Sequence, residues 1–355
     1  MKFIHCADVH LDSKIEANLP PAAAKQRRKE ILLTFCSMAD YAQNNNVTAV
    51  IIAGDLFESI HANKTTAEII LKKIEECKDT DFLYLLGNHD YINPLSDYDC
   101  PENLKFFGND WTSFNYGDTT ITGVNLTADN YRSIYSSLML DNSKLNIVTL
   151  HGQLSTSSSE ININQNELNN CGIDYLALGH IHNQSSGKLG ENGKWCYCGC
   201  LEGRGFDEAG DKGFVLIETE GKTFKTQFIK TNGRKIEVLE CDISYLSDAG
   251  DILQKVDKDT SHIDKDSMLK LVLIGAVPAD ARKDLEYLNT HLNQKFWFAK
   301  IKDQTRLAIC PEDYINDVSL KGEFIRLAMS QDLTDEMRDR IIECGLSALG
   351  GLEVQ

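Results

Sequence analysis

Short apolar runs that end in Asp, Asn or His constrain this chain more than any other feature of its sequence. The run Leu83–Leu86 is followed by Gly87 and then by the triplet NHD. A turn alone needs no such triplet, since Asn-Gly or Asp-Gly is sufficient. Repeated polar endings therefore indicate a site at the ends of several buried strands. Four other runs end in this way, in the groups DVH (8–10), GD (54–55), LHGQ (150–153) and GHIH (179–182).

The alternation of these strands with helical patterns predicts the fold class. Strands that alternate with helices are typical of a layered α/β core with crossover connections. Residues 212–230 have a period of two around a Glu-Gly turn, which predicts a hairpin. We predict helices over 25–44, 64–77 and 130–138, and strands over 2–7, 47–53, 82–86, 119–124, 145–150 and 175–178.

A second unit begins near Ile236. Residues 236–301 predict the order strand, helix, strand, helix, strand, which indicates a small α+β (βαβαβ) capping domain. The chain after Asp303 is acidic and helical. At 355 residues, the chain is too long for one ordinary core. We therefore expect three domains: an α/β domain over 1–232, the capping domain over 233–302 and a helical C-terminal tail over 303–355.

The polar groups have the character of metal ligands. In an open α/β sheet, the carboxyl ends of the strands line one crevice. Carboxylate, amide and imidazole groups without a thiolate suit Mn²⁺, Fe or Zn²⁺ better than Ca²⁺ or a structural zinc. The alternative is that these are isolated capping and turn residues, which explains one such group but not five in order. Five strand ends would bring together Asp8, His10, Asp55, Asn88, His151, His180 and His182.

Together, DVH, GDLFES, GNHD, LHGQ and GHIH resemble the motifs of the calcineurin-like metallophosphoesterase superfamily, over residues 1 to about 230. The resemblance implies that the catalytic domain is a layered β-sandwich flanked by helices. It also implies two divalent metal ions that share Asp55, with Mn²⁺ as the expected metal and Fe or Zn²⁺ as alternatives. One ion would be held by Asp8, His10, Asp55 and His182. The other would be held by Asp55, Asn88, His151 and His180.

Catalysis is expected to involve His89, which should not touch either metal. It would act as a general acid that protonates the leaving oxygen, with Asp90 orienting its imidazole. The alternative is that His89 only braces the site.

By resemblance, the superfamily's second acid is Glu58 here, and Ser59 stands where protein phosphatases carry Arg. A phosphodiester carries one charge and needs less cationic help, so the sequence favours diesters. Arg204 could enter the site and bind substrate, which keeps a monoester open.

The motifs GDLFES and LEGRGFDEAGDKGF (201–214), the capping domain and the short helical tail resemble the bacterial DNA repair exonucleases of the SbcD type and their YhaO-like relatives. This implies manganese-dependent 3′ to 5′ cleavage of DNA, by a homodimer with a separate SbcC-like ATPase. The net charge of −17 does not favour DNA binding, since phosphate contacts need Lys and Arg. The best basic patch is KQRRK at 25–29, where Arg27 and Arg28 are candidate phosphate contacts and a solvated helix face is the alternative. A small-molecule phosphodiesterase or phosphatase and a non-catalytic scaffold remain open.

The location and the tail give weaker expectations. No apolar run approaches the roughly 20 residues that span a bilayer, and the N-terminus reaches polar residues too soon for a signal peptide. The eleven scattered cysteines favour reduced thiols in a cytoplasmic protein. From Asp303 the chain has 11 acidic and 5 basic residues, a net charge of −6, and should avoid DNA. An apolar stripe at helical spacing would pack on the capping domain or dock to the ATPase coiled coil; it consists of Leu333, Met337, Ile341 and Ile342.

Overall fold

The computed structural model describes residues 1–15, 19–278, 281–308, 314 and 316–349. The chain divides into two compact units, Met1–Ile236 and Glu237–Gln355. The further division of the second unit at residue 303, into a capping domain and a tail, stays a prediction.

The elements of the first unit alternate along the chain much as the sequence pattern predicts. Its helices are α1 (Pro21–Asn44), α2 (Lys64–Glu76), α3 (Ile134–Ser137) and α4 (Gln165–Leu168). Its strands are β1 (Lys2–Cys6), β2 (Ala49–Ala53), β3 (Asp81–Leu85), β4 (Leu104–Phe106), β5 (Thr112–Tyr116), β6 (Thr119–Gly123), β7 (Leu145–His151), β8 (Gln153–Ser155), β9 (Asn162–Asn164), β10 (Tyr175–Gly179), β11 (Ser185–Leu189), β12 (Gly193–Tyr197), β13 (Gly213–Glu220) and β14 (Thr223–Lys230).

Twelve of these strands form two six-stranded mixed sheets, and β8 pairs with β9. The first sheet has the order β14-β13-β1-β2-β3-β4, parallel from β1 to β4 and antiparallel at β13 and β14. The second has the order β11-β12-β10-β7-β6-β5, parallel from β12 to β6 with an antiparallel strand at each edge. Parallel neighbours end at the same edge of a sheet, so β1, β2 and β3 present their carboxyl ends side by side, as β7 and β10 do.

The two sheets pack face to face around a buried core. Phe3 and Ile51 of the first sheet lie in one cluster with Ile147 and Tyr175 of the second. Other clusters cover the outer faces, where α1 and α2 pack on the first sheet and α3 and α4 pack on the second. Each large apolar side chain buried in this way contributes about 1.5–3 kcal/mol. The layered α/β sandwich flanked by helices is confirmed.

The helices that cover the first sheet follow from local sequence. In α1, buried apolar residues recur every three or four positions, at Ile31, Phe35, Met38 and Ala42. The second helix, α2, begins after Asn63, whose side chain accepts a hydrogen bond from the backbone N–H of Thr65 at 3.0 Å. Both helices therefore pack with their apolar faces against the first sheet.

The predicted strands of the first unit lie within two residues of the observed ends. Helix α1 begins four residues earlier than predicted, at Pro21, and the helix predicted over 130–138 is only one turn, Ile134–Ser137. Several short strands were not predicted, because three to five residues between polar loops show no clear period; they are β4, β5, β8, β9 and β11.

The second unit contains the predicted order of strand, helix, strand, helix, strand. Its elements are β15 (Ile236–Asp242), α5 (Ala249–Asp259), β16 (Met268–Ile274), β17 (Ala276–Val277), α6 (Leu285–Lys295), β18 (Phe298–Asp303), β19 (Arg306–Leu307), α7 (Leu320–Met329) and α8 (Asp335–Leu349). Strands β15, β16 and β18 form one sheet, and α5 and α6 contribute buried residues such as Ile252 and Leu288 to its core. A small parallel pair, β17 and β19, lies outside that sheet.

Helices α7 and α8 bury a small apolar cluster that includes Ile325 and Ile342. The predicted stripe does not form one buried face, since Ile342 is buried while Met337 and Ile341 are 54% and 40% exposed. In the part of the chain that the structure describes, no helix combines the length and apolarity needed to cross a bilayer.

Candidate metal centre

The structure brings the seven predicted ligand side chains to one edge of the two sheets, just after β1, β2, β3, β7 and β10. Backbone hydrogen bonds continue past the strand ends and fix the loops. The N–H of Asp8 donates to the carbonyl of Gly54 at 3.1 Å, and that of His10 donates to the carbonyl of Asp55 at 3.0 Å. The N–H of His180 donates to both carboxylate oxygens of Asp8 at 3.0 Å, which joins the first sheet to the second.

Four of the seven residues have a left-handed backbone. Their φ angles are 51° at Asp8, 49° at His10, 52° at Asp55 and 100° at His180. A positive φ at a residue other than glycine costs on the order of 1–3 kcal/mol and persists only where the surroundings enforce it. Such residues cluster at functional sites, and this cluster is consistent with one.

We call Asp8, His10 and His182 the first group. The Nε2 atoms of the two histidines are 3.2 Å apart, and Nε2 of His182 is 3.9 Å from Oδ1 of Asp8. Nδ1 of His182 is 2.7 Å from Oε1 of Glu208. Nδ1 of His10 is 3.0 Å from Oε2 of Glu58, an ion-pair distance outside hydrogen-bond geometry. A carboxylate only accepts, so Nδ1 of His182 donates to Glu208, and Nε2 of His182 faces Nε2 of His10.

We call Asn88, His151 and His180 the second group. Oδ1 of Asn88 lies 3.0 Å from Nε2 of His151 and 3.0 Å from Nδ1 of His180. Nδ1 of His151 is 2.9 Å from the carbonyl oxygen of Ala53 and donates to it. Its Nε2 therefore points into the group, towards Asn88.

Asp55 lies between the two groups. Its Oδ2 is 3.3 Å from Nε2 of His151 and 3.8 Å from Nε2 of His10. Two ligands about 2.1 Å from one ion lie roughly 3.0–3.4 Å apart, which matches the donor pairs at 3.2 Å in the first group and 3.0 Å in the second. In each group these atoms face one another, so a cation between them would stabilise the arrangement. The residues fit two divalent cations that share Asp55.

Two glycines make room for this arrangement. A Cβ on Gly54, whose φ is 92°, would lie 2.1 Å from Nδ1 of His151. A Cβ on Gly87 would lie 2.1 Å from Oδ1 of Asp55. Any larger residue would displace a ligand, so these glycines of the GD and GNHD groups are required by close approach.

The electrostatics of the centre favour bound positive charge. Burial would raise the pKa of Asp55, but the charges of His151 and His10 and the N–H of His89 hold that pKa far below its usual range. Burial would lower the pKa of His151, but Asp55 and Asp8 raise it to about 9. The pKa of His180 falls to about 4, because burial and the charge of His151 both disfavour its protonation. A metal would replace the proton on His151.

His89 lies beside the first group and is partly exposed. Its imidazole is 4.9 Å from that of His10 between ring centres, and its Nδ1 is 3.6 Å from Oε1 of Glu58.

The prediction that Asp90 orients His89 is wrong. Asp90 is buried and accepts hydrogen bonds from the backbone of Phe57 and Gly87 at 3.2 and 2.7 Å, and from the hydroxyl of Tyr84. Adjacent residues in this turn point in different directions, so Asp90 fixes the loop and Glu58 approaches the imidazole.

Arg204 is close to the centre, but its donors are already engaged. Nη1 donates to Oε2 of Glu58 at 2.9 Å, and Nη2 donates to Oε1 of Glu208 at 2.7 Å. The predicted contact between Arg204 and substrate stays a prediction, and it would have to compete with these two carboxylates. Glu208 was not predicted as a site residue, since it follows His182 by 26 positions in a loop and its only signal was the motif EGRGFDE.

The basic patch on α1 is only partly available. Arg27 is completely buried, and its Nη2 donates to Glu202 at 2.8 Å and to the carbonyl of Gly203 at 2.6 Å. The prediction that Arg27 contacts phosphate is therefore wrong, because the ion pair with Glu202 holds the guanidinium inside the protein. Arg28 is exposed, and its predicted role stays a prediction.

Comparisons with known proteins show what this chain is similar to. The family described as calcineurin-like phosphoesterase matches residues 1–184, more than half of the 355-residue chain. The uncharacterized metallophosphoesterase YhaO of Bacillus subtilis is 27% identical over 302 residues, which cover 78% of this chain and 72% of YhaO. The DNA double-strand break repair protein Mre11 of Sulfolobus acidocaldarius is 26% identical over 307 residues, 80% of this chain and 77% of that one. Among solved structures, a dimetal phosphatase from Danio rerio is similar with a TM-score of 0.44 and 10% identity, over 65% of this chain and 96% of that one.

Proposed function

Because this chain belongs to the calcineurin-like phosphoesterase family, we propose that this metallophosphoesterase hydrolyses phosphodiester bonds in DNA. The observation that carries the proposal is the convergence of seven candidate ligand side chains, namely Asp55 and the three residues of each group on either side of it. The relatives named as DNA double-strand break repair proteins support DNA as the substrate. The absence of an arginine after Glu58 supports a diester over a monoester.

We propose that the first group and Asp55 hold one divalent ion, and that the second group and Asp55 hold the other. Two bound cations would polarise the phosphate and supply an activated water as nucleophile. His89 would protonate the leaving alkoxide, since it lies at the rim with an imidazole free to face substrate. Glu58, 3.6 Å from Nδ1 of His89, would orient the imidazole. Manganese is the proposed metal, since imidazole, amide and carboxylate ligands suit it.

The direct test is digestion of end-labelled linear DNA with Mn²⁺, beside bis-p-nitrophenyl phosphate. We expect Mn²⁺-dependent release of nucleotides from the 3′ end, abolished by a chelator and restored by added metal. Hydrolysis of the small diester with intact DNA would instead support the second candidate, a phosphoesterase acting on a small molecule. Failure on both substrates, with metals bound, would support a non-catalytic scaffold.

We also propose that the protein is a two-fold homodimer formed through α1 and α2. Ile70 and Ile74 are buried in the core of the first unit and are not available, whereas Leu33 and Ile69 are 51% and 41% exposed. Exposed apolar side chains on neighbouring helices suit a helical interface. Light scattering at micromolar concentration should give twice the chain mass, and Leu33→Glu with Ile69→Glu should give one chain mass. A monomeric wild type would remove the proposal.

We further propose that a separate SbcC-like ATPase binds the C-terminal helices. Leu327, Met337 and Ile341 are 61%, 54% and 40% exposed, so apolar surface remains on α7 and α8 after their own cluster has formed. Deletion of the chain after Gln331 should preserve digestion of simple DNA ends but abolish co-purification of the ATPase. A truncated chain that unfolds would show instead that these helices are needed for the stability of the protein.

A further inference from the structure

Glu208 stands behind the first group and is almost completely buried, with 4% exposure. It closes the short 3-10 turn Phe206–Glu208. Its carboxylate accepts from the backbone N–H of Arg204 at 2.7 Å and from Nε of the same residue at 3.1 Å, besides its contact with His182. These contacts with protein groups orient the carboxylate plane of Glu208 without any contribution from a substrate or a metal.

The position of one proton decides whether His182 can hold a cation. Its Nδ1 has an acceptor at 2.7 Å, Oε1 of Glu208, and a donor at 3.3 Å, Nη2 of Arg204. The acceptor is nearer, and two lone pairs at 2.7 Å would repel each other, so Nδ1 carries the proton. Nε2 then keeps its lone pair and faces Nε2 of His10. Without Glu208, Arg204 would be the nearest neighbour of Nδ1 and would favour the opposite tautomer, with the proton on Nε2.

Arg204 connects this arrangement to the other side of the first group. Nη1 of Arg204 donates to Oε2 of Glu58 at 2.9 Å, and the same oxygen is 3.0 Å from Nδ1 of His10. One guanidinium therefore spans the two carboxylates that stand behind the two histidines. A planar guanidinium with fixed donors suits this bridging role, which an ammonium could not fill.

We propose that Glu208 is a positioning residue that fixes the tautomer and orientation of His182. In this proposal Arg204 holds the carboxylates of Glu208 and Glu58 in place behind the two histidines instead of binding phosphate. The inference rests on the proposed metal site, of which His182 is a ligand. Groups of this kind behind a metal ligand orient it and set its basicity.

The test uses the full chain, with Mn²⁺ alone as the probe in calorimetry. Glu208→Ala should weaken one of two binding steps by about 10–100-fold. Glu208→Gln keeps an acceptor of the same size and should lose less. Asp207→Asn removes the same charge from the neighbouring exposed position and should change neither step. Equal binding in Glu208→Ala and the wild type, or an equal loss in Asp207→Asn, would overturn the proposal.

A second measurement does not depend on bound metal or activity. In metal-free protein with ¹⁵N-labelled histidine, at a pH high enough for a neutral His182, the wild type should show the proton on Nδ1, and Glu208→Ala should shift it to Nε2. If Glu208→Ala does not fold, Glu208→Gln decides the matter, because a carboxamide can also present its NH₂ to Nδ1. Its share of the Nε2–H tautomer should exceed that of the wild type, and an unchanged tautomer would contradict the role of Glu208.

His182→Ala separates this inference from the proposed metal site. If His182→Ala leaves both binding steps intact, the assignment of His182 as a ligand fails, and the proposed site with it. If His182→Ala weakens one step and Glu208→Ala weakens neither, only the positioning role fails.

Discussion

The two groups of ligands are supported from behind in different ways. In the first group, the histidines rest on the side-chain carboxylates of Glu58 and Glu208. In the second group, His151 rests on the backbone carbonyl of Ala53, and Asn88 supplies a neutral amide. Attraction for a cation grows with nearby negative charge, so the first group should bind its ion more tightly. Two similar sets of strand ends can thus hold ions of unequal affinity.

The difference also shows which part of the centre can be tuned by substitution. A backbone carbonyl is fixed by the parallel pairing of β2 and cannot be replaced by mutation. A side-chain carboxylate can be removed, shortened or neutralised while the strand remains. Changes in the support of the first group should therefore alter metal affinity without altering the fold, and the predictions below use this distinction.

The largest expected effect is that of Asp55→Asn, which acts on both groups at once. The shared carboxylate loses its charge, so both Mn²⁺ binding steps should weaken in calorimetry. Activity on DNA should fall by roughly 10⁴-fold or more, because the metals supply several kcal/mol of transition-state stabilisation. Asp97→Asn, at an exposed position, is the matched control. Loss of only one binding step would show that Asp55 is not shared.

His89→Asn should come next, because it removes the proposed acid and no metal ligand. Both Mn²⁺ steps should persist, while the rate on DNA should fall by roughly 10²–10⁴-fold. Bis-p-nitrophenyl phosphate should lose much less, since nitrophenolate leaves without protonation. Equal slowing of both substrates, or loss of a bound metal, would contradict the acid role.

Glu58→Gln refines that prediction. Glu58 contacts His10, His89 and Arg204, so its neutralisation should reduce the rate on DNA by less than His89→Asn and should also weaken one metal step. Metal binding in calorimetry and rates on the two substrates measure these effects. An effect on rate with intact metal binding would place Glu58 with the acid alone.

A fourth test concerns Arg27, which bridges two glutamates as Arg204 does but supports the fold instead of the site. Arg27 pairs with Glu30 and Glu202 at 2.5 and 2.8 Å. Arg27→Met removes the guanidinium from the buried carboxylate of Glu202 and should reduce the free energy of unfolding in urea by about 3–5 kcal/mol. The folded Arg27→Met variant should bind as much Mn²⁺ as the wild type when the metal is present at saturating concentration. Arg28→Met is the control, since an exposed position should change stability by about 0.5 kcal/mol or less.

The same variant should change the acid sensitivity of folding. Burial would raise the pKa of Glu30, but hydrogen bonds from Arg234 and Arg27 hold it below its ordinary value. A carboxyl whose pKa is lower in the folded state contributes stability above its unfolded pKa of about 4.3, and this stability is lost as the pH falls below that value. Arg27→Met removes part of the cause, so its stability should depend less on pH below about pH 5 than that of the wild type. An unchanged acid limb in urea melts would contradict this.

The sequence was sufficient for the strand ends because their signal is local. A run of apolar residues followed by Gly54 or Gly87 and an acid or amide predicts both the strand and the side chain that it presents. The burial of charged side chains and the contacts between residues far apart in the sequence were not predictable. Glu208 approaches His182 through a loop, and Arg27 enters the core although a run of charge on a helix usually marks a solvated face. Asp90 turns towards the backbone, and adjacency to His89 could not show this.

The smallest expected effect comes from Asn88→Asp, which makes the second group more like the first. The neutral amide becomes a carboxylate that can contact the ion of the second group. Asn88 is exposed, so solvent screening should limit the gain to roughly tenfold in affinity, although a unit charge at contact distance is worth more in a dry interior. Two-step calorimetry with Mn²⁺ should show the weaker step strengthened and the stronger step unchanged.

Asn109→Asp adds the same charge at another exposed position and should leave both steps as they are. The comparison between the two groups depends on which step responds to Asn88→Asp. If the stronger step gains instead, then the group with the neutral amide already holds its ion more tightly, and the carboxylates behind His10 and His182 do not set the order of affinity. If neither step moves, Asn88 contributes no ligand, and the second group consists of its two histidines and Asp55 alone. A gain confined to the weaker step ties the unequal affinities to the unequal charge of the two groups.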